Sequence, residues 1–209
     1  MVNSDRLSNF NRSDSGATMI EIAIIIQLLF VVVLGFVDFG FALFQWNLAS
    51  KAVQMGARLA AVSDPVDSTL SSYTGLGGGN APGDPIVPFA TRTCDGATSL
   101  CSNGTFDLNN FRRILAGSDW PDCTSAPGTR LGMCDIFWRI DPENVVVSYE
   151  YSGLGYATRP GGPVPTIQIR LQNITFDFFF LDALLSFAQL TIPSMTSTIT
   201  GEDLSRTWP

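Results

Sequence analysis

The chain has 209 residues, a net charge of −7 and no histidine, with 45% hydrophobic and only 15% charged residues. The acidic balance argues against nucleic acid, because phosphate binding needs a basic patch and the sequence holds none. Without imidazole it lacks the commonest general base and metal ligand, and Lys51 is its only lysine.

Residues 1–16 read as a polar leader of Ser, Asn and Asp with Arg6 and Arg12. They lack the short apolar core and small-residue cleavage site of an ordinary secretory signal. From Ile22 to Phe44 the chain is apolar except for Gln27, Asp38 and a few small residues. A bilayer core of about 30 Å takes about 20 apolar residues at about 1.5 Å each. The run is long enough to span, and lipid requires it to be helical.

Glu21 stands at the start of this run, five residues after Gly16. A carboxylate at the membrane edge is costly unless neutralised. A cut after Gly16 would give Ala17 a new α-amino cation four residues from Glu21, and such positions face each other on a helix. The pair could form within one chain or between neighbours. Asp38 has two readings: a pairing site for a polar group on another helix, or a side chain near the outer face that reaches headgroups, which is the preferred one. Gln27 carries the same pair of readings.

No proline interrupts the chain before Pro65, so the helix is predicted to run on to Ala61. Gln45, Asn47, Ser50, Lys51 and Gln54 supply a wet face, while Ala49, Ala52, Val53, Gly56, Ala57 and Ala60 form a stripe at helical spacing. That stripe is predicted to pack on the protein's own sheet. Arg58 is expected to serve as a structural ion-pair partner, and Asp64-Pro65 to end the helix.

The run Gly16-Ala17-Thr18-Met19-Ile20-Glu21 before a long apolar helix resembles the processing site of type IV prepilins and pseudopilins. Glu21-Ile22-Ala23, Gly35, Asp38-Phe39-Gly40, Ala52, Gly56-Ala57-Arg58 and Ala60-Ala61 resemble the TadE-like family of tight-adherence pilus assembly proteins. The likeness covers about residues 16–61, with a looser match at Thr200-Gly201-Glu202. It implies a minor pseudopilin cut after Gly16 by a prepilin peptidase, with Glu21 fixing register during assembly. Implied partners are other pilin-like subunits, an ATPase and an inner-membrane assembly platform. The implied location is the bacterial inner membrane, single-pass, with a cytoplasmic N-terminus and a periplasmic C-terminal domain. Gln27 stands where that family often has proline, and a proline kink needs proline.

Residues 64–106 read as a Gly/Pro-rich irregular connection. Its stretch Thr74–Pro88 lacks the Lys-Ser/Thr ending and preceding strand of a phosphate loop. The sequons at Asn103 and Asn173 read as chance. Cys94, Cys101, Cys123 and Cys134 all follow the apolar run, and an even count on one side suggests two disulfides in an oxidising compartment. Three pairings are possible; Cys94–Cys101 with Cys123–Cys134 is preferred because each would staple a local loop.

Residues 107–209 are predicted to form an α+β ectodomain. Asp107 can cap a helix to Ala116, with Gly117 just past its end. Period-two alternation over 145–151 and 167–172 predicts two strands of a meander, with 153–165 between them. Ile136, Trp138 and Ile140 suggest a strand before these. The run Phe176–Leu181 and the following DALLSF are too short to span. Core packing against the long helix is the preferred reading, with a subunit- or membrane-facing patch as the alternative. Residues 190–200 give a last strand, which Pro193 should place at an edge or delay.

The expected fold is therefore α+β and pilin-like: a long N-terminal helix (17–63, transmembrane over 22–44) on a small antiparallel sheet. No enzyme, cofactor or metal is expected. Ser118 and Ser152 have no histidine or lysine base in the domain, and Asp141 with Glu143 read as solvated loop carboxylates. The alternative to a pseudopilin is an uncleaved single-pass anchor displaying a disulfide-stabilised binding domain.

Overall fold

A computed structural model of the chain describes residues 14–117, 123, 130–160, 162–180, 191–201 and 204. It divides into two units: Met1–Leu43 with Asp177–Gln189, and Phe44–Phe176 with Leu190–Pro209. Helix α1, Asp14–Ala61, has 48 residues and contributes to both. At about 1.5 Å per residue it is about 72 Å long. Its length follows from the absence of proline and from a run of good helix formers. The Ser63 hydroxyl closes its end by donating to the Leu59 carbonyl at 2.6 Å.

The second unit is built around a sheet in the order β2-β1-β3-β4-β5, antiparallel throughout. The strands are β1 (Arg92–Asp95), β2 (Leu100–Cys101), β3 (Val145–Leu154), β4 (Val164–Leu171) and β5 (Met195–Thr200). In β3 and β4, Val145, Val147, Tyr149, Ile167, Ile169 and Leu171 are buried in one core with Ala49, Ala52, Val53, Ala57 and Ala60 of α1. The small-residue stripe does pack with the sheet residues, as the sequence predicts. Gly56 shows how close the approach is: a Cβ there would lie 2.4 Å from the Met133 sulfur. Two sequence expectations for this half of α1 are corrected. Gln45, assigned to the wet face, is buried, one helical turn before Ala49 on the same stripe. Arg58 is exposed and makes no ion pair among the described residues.

The α+β class, the β3–β4 pairing, the edge position of β5 and its start beyond Pro193 all agree with the sequence reading. Helix α3, Leu108–Ala116, is capped by the Asp107 carboxylate and stopped at Gly117, whose φ is 83°. Other expectations fail for local reasons. Residues 64–106 are not simply irregular, since they hold the short helix α2 (Ser68–Ser71) and the β1–β2 hairpin. That hairpin is short and polar, so it leaves no hydrophobic period. The expected strand at 136–140 is instead helix α4, Met133–Ile136, and a turn. Met133, Cys134, Phe137 and Ile140 are buried while Trp138 is 57% exposed, a helical rather than alternating spacing. β3 is also buried on both faces at its start, because Val146 and Ser148 are covered as well.

The Gly/Pro stretch is tied down by its own polar groups. The Asn80 amide donates to the Gly75 and Pro85 carbonyls at 3.0 and 3.1 Å, and the Tyr73 hydroxyl donates to the Val87 carbonyl at 2.8 Å. Phe89 then stacks edge-on to both Tyr73 and Tyr151.

Beyond α1 the chain turns on a buried carboxylate. Asp67 accepts from Arg92 Nη1 at 2.6 Å, from the Thr69 hydroxyl at 2.7 Å, and from the Thr69 and Thr105 amides at 3.0 Å each. It is fully buried, while Arg92 is 13% exposed. One residue earlier, the Val66 amide donates to the buried Tyr149 hydroxyl at 2.9 Å. Burial would raise the Asp67 pKa, but Arg92, Thr69 and the two amides outweigh it and hold the carboxyl below its ordinary 3.8.

A folded-state pKa below the unfolded one means that this contribution is complete above the ordinary carboxylate value and is lost as pH falls through the lower folded value. Thermal melts of the full chain in detergent should show Asp67→Asn less stable than the parent at pH 7, with the gap closing below about pH 4. Arg92→Ala, which strands the buried carboxylate, should cost about 3–5 kcal/mol at pH 7. A pH-independent gap would remove the charge from this account.

Candidate functional site: the apolar helix and its carboxylates

The first unit contains the N-terminal part of α1. α1 already includes Asp14 to Gly16, so the Gly16–Ala17 peptide bond lies in its first turn. Glu21 is exposed one turn after Ala17. Every residue from Ile20 to Val33 is exposed, including Ile22, Ile25, Leu29, Phe30 and Val33. Among the described residues this is the one helix long and apolar enough to cross a membrane. A soluble fold would bury such a surface, since large exposed apolar patches mark contacts with lipid or protein. Gly35 and Gly40 have open space where a Cβ would project.

Asp38 makes a contact that neither of its sequence readings included. It is fully buried and accepts from the backbone amides of Phe179 and Phe180, each at 2.9 Å and one on each carboxylate oxygen. These two donors are main chain of the same protein. The Phe41 and Phe179 rings lie 4.6 Å apart beside this contact. The expectation that the phenylalanine run packs as core also fails in part. Phe176 packs partly against the core, but Phe179 and Phe180 are 61% and 41% exposed. The rest of that run, from Leu181, lies outside the described residues.

Cys94 is joined to Cys101, and Cys123 to Cys134. The first pair faces across the β1–β2 register and the second reaches α4. Ser152 donates to the Val164 carbonyl and accepts from the Leu154 amide, both within the β3–β4 hairpin. Asp141 and Glu143 are exposed beside a single turn of 3₁₀ helix, and Ser118 lies outside the described residues. Among the described residues no group of three His, Cys, Asp or Glu side chains could hold a metal.

Sequence reasoning missed both the Asp67–Arg92 pair and the partner of Asp38. Asp67-Ser68-Thr69 carries a helix-cap signal that could have been read. Nothing local announces that Phe179 and Phe180 donate to Asp38.

Residues 16–58 match the family model described as TadE-like protein. The resemblance drawn from the sequence thus holds over this segment, which contains Gly16, Glu21, Asp38, Gly56 and Arg58. No curated protein and no solved structure matches the chain.

The glycines of α1 give a direct check on which half packs on its own chain. Gly35→Ala and Gly40→Ala should leave the melting temperature of the sheet unit unchanged or slightly raised, because alanine is the better helix former. Gly56→Ala should lower it through a cost of about 1–3 kcal/mol, as Met133 is pushed aside. Equal effects at all three positions would contradict the packing described.

Proposed function

We propose that this chain is a minor pseudopilin of a tight-adherence pilus machine, held in the inner membrane by residues 22–44 and processed after Gly16. The observation that carries the reading is Glu21 at the exposed head of an apolar helix that is exposed throughout Ile20–Val33 among the described residues. The family match over residues 16–58 supports it. So do the two disulfides in the second unit, which suit an oxidising compartment.

Cleavage would expose the Ala17 amine one turn from Glu21. Apolar helices then associate side by side through van der Waals packing, which by itself does not fix their axial positions. Glu21 supplies the register: out of register, its carboxylate is left in a low-dielectric surround without a cation, at a heavy penalty. In register, it neutralises an α-amino group of its own chain or a neighbour's. The partners on this reading are a prepilin peptidase, other pilin-like subunits, the inner-membrane assembly platform and the lipid bilayer. The sheet unit stands in the periplasm and does no chemistry.

Two measurements test this. The mature protein from cells with an active prepilin peptidase should have the mass of a chain beginning at Ala17. A retained Met1 would overturn processing and leave a single-pass anchor with a binding domain. Separately, Glu21→Gln should insert and fold normally but reduce filament number severalfold. Parental piliation in that variant would remove the register role.

A further inference from the structure

We infer that the main chain at Phe179 and Phe180 is a second membrane contact of this protein, held by Asp38 in the leaflet farther from Glu21. The inference rests on the spanning reading of residues 22–44 proposed above. Asp38 lies sixteen residues past Ile22, about 24 Å along the helix axis. In a hydrocarbon layer of about 30 Å that is deep in the far leaflet, short of its edge. Whatever Asp38 holds is held at the same depth. It holds the Phe179 and Phe180 amides, one on each oxygen, with the Phe179 ring against Phe41.

Two costs cancel in this contact. A carboxylate within the hydrocarbon is penalised unless donors surround it. Non-helical backbone at that depth is penalised because lipid offers no acceptor for its amides. Each supplies what the other lacks, which explains why aspartate is tolerated in an otherwise apolar run. The side chains then continue the helix's apolar surface. Phe179 and Phe180 are exposed, as are Phe36, Val37, Phe39 and Leu43 around Asp38. The occupant of this surface is phospholipid acyl chain, because the helix at this height is surrounded by it.

The test uses the full chain in vesicles of phosphatidylethanolamine and phosphatidylglycerol, with photoreactive benzoyl-phenylalanine placed at one site at a time. The sites are Phe30, 60% exposed on the helix, Phe179, and Leu100, 67% exposed on β2. After illumination, intact mass should show phospholipid adducts at Phe30 and Phe179 in comparable yield and none at Leu100. Asp38→Ala should cut the Phe179 yield severalfold without changing that at Phe30, and Asp38→Asn, which keeps one acceptor oxygen, should fall between. Adducts at Phe30 but not Phe179 would overturn this inference alone, as would a cross-link from Phe179 to a second copy or another protein. No lipid at Phe30 would overturn the spanning reading and the inference with it. A Phe179 yield unaffected by Asp38→Ala would remove the holding role of the carboxylate.

Discussion

One unbroken helix has to satisfy two surroundings, and its side chains divide accordingly. Where α1 enters the core of the sheet unit it presents alanine, valine and glycine, and at Gly56 a single methyl group would collide with Met133 of α4. Over Ile20–Val33 it presents large aliphatic and aromatic residues that nothing in the described chain covers. Helix propensity alone would not hold so long an element in place. The packed half is secured by core burial. The other is a helix by necessity wherever lipid surrounds it, since only internal hydrogen bonds can satisfy its backbone there.

Three carboxylates along this path meet the same electrostatic problem in different ways. Asp67 is neutralised by a guanidinium and three further donors inside the sheet unit. Asp38 accepts from two main-chain amides, one on each oxygen. Glu21 is exposed, and on the proposed reading its neutralising cation is the amine that cleavage creates. On the proposed reading, a pilus subunit gains from this order. The two buried acids are satisfied within the chain and so belong to folding, while the exposed one remains available to act between chains.

The sequence was legible where one physical rule acts alone. Length and apolarity identify the helix that could cross a membrane, small residues at helical steps identify the packed stripe, and Asp107 with Gly117 brackets α3. Alternation locates β3 and β4, which pair from Val145 with Leu171 to Tyr151 with Pro165. It failed where one local pattern is overridden by another, or by a distant partner. Ile136, Trp138 and Ile140 alternate on paper, yet the Gly132 amide donates to Asp135 at 2.7 Å and starts a helical turn there. Gln45 looks solvated by type, but it shares a helix face with Ala42 and Ala49 and is buried with them. Of the candidate site, the pairing of the cysteines could be read from spacing and compartment. The donors to Asp38 could not, because they come from residues 141 and 142 positions further along the chain.

The disulfides connect the periphery of the sheet unit to the docking of α1. A hairpin of four and two residues is marginal by itself, and Cys94–Cys101 crosses it at a paired position with Cα atoms 4.0 Å apart. β1 carries Arg92, so closing the hairpin also steadies the cation that neutralises Asp67 just beyond the end of α1. Cys123–Cys134 acts on the other flank. Cys134 lies in α4 beside Met133, whose side chain fills the space left open by Gly56. Loops this short each yield about 2–3 kcal/mol on a chain-entropy view. Both staples therefore fall on segments that position what α1 packs against, where neither the short strands nor the single-turn α4 could hold those contacts unaided.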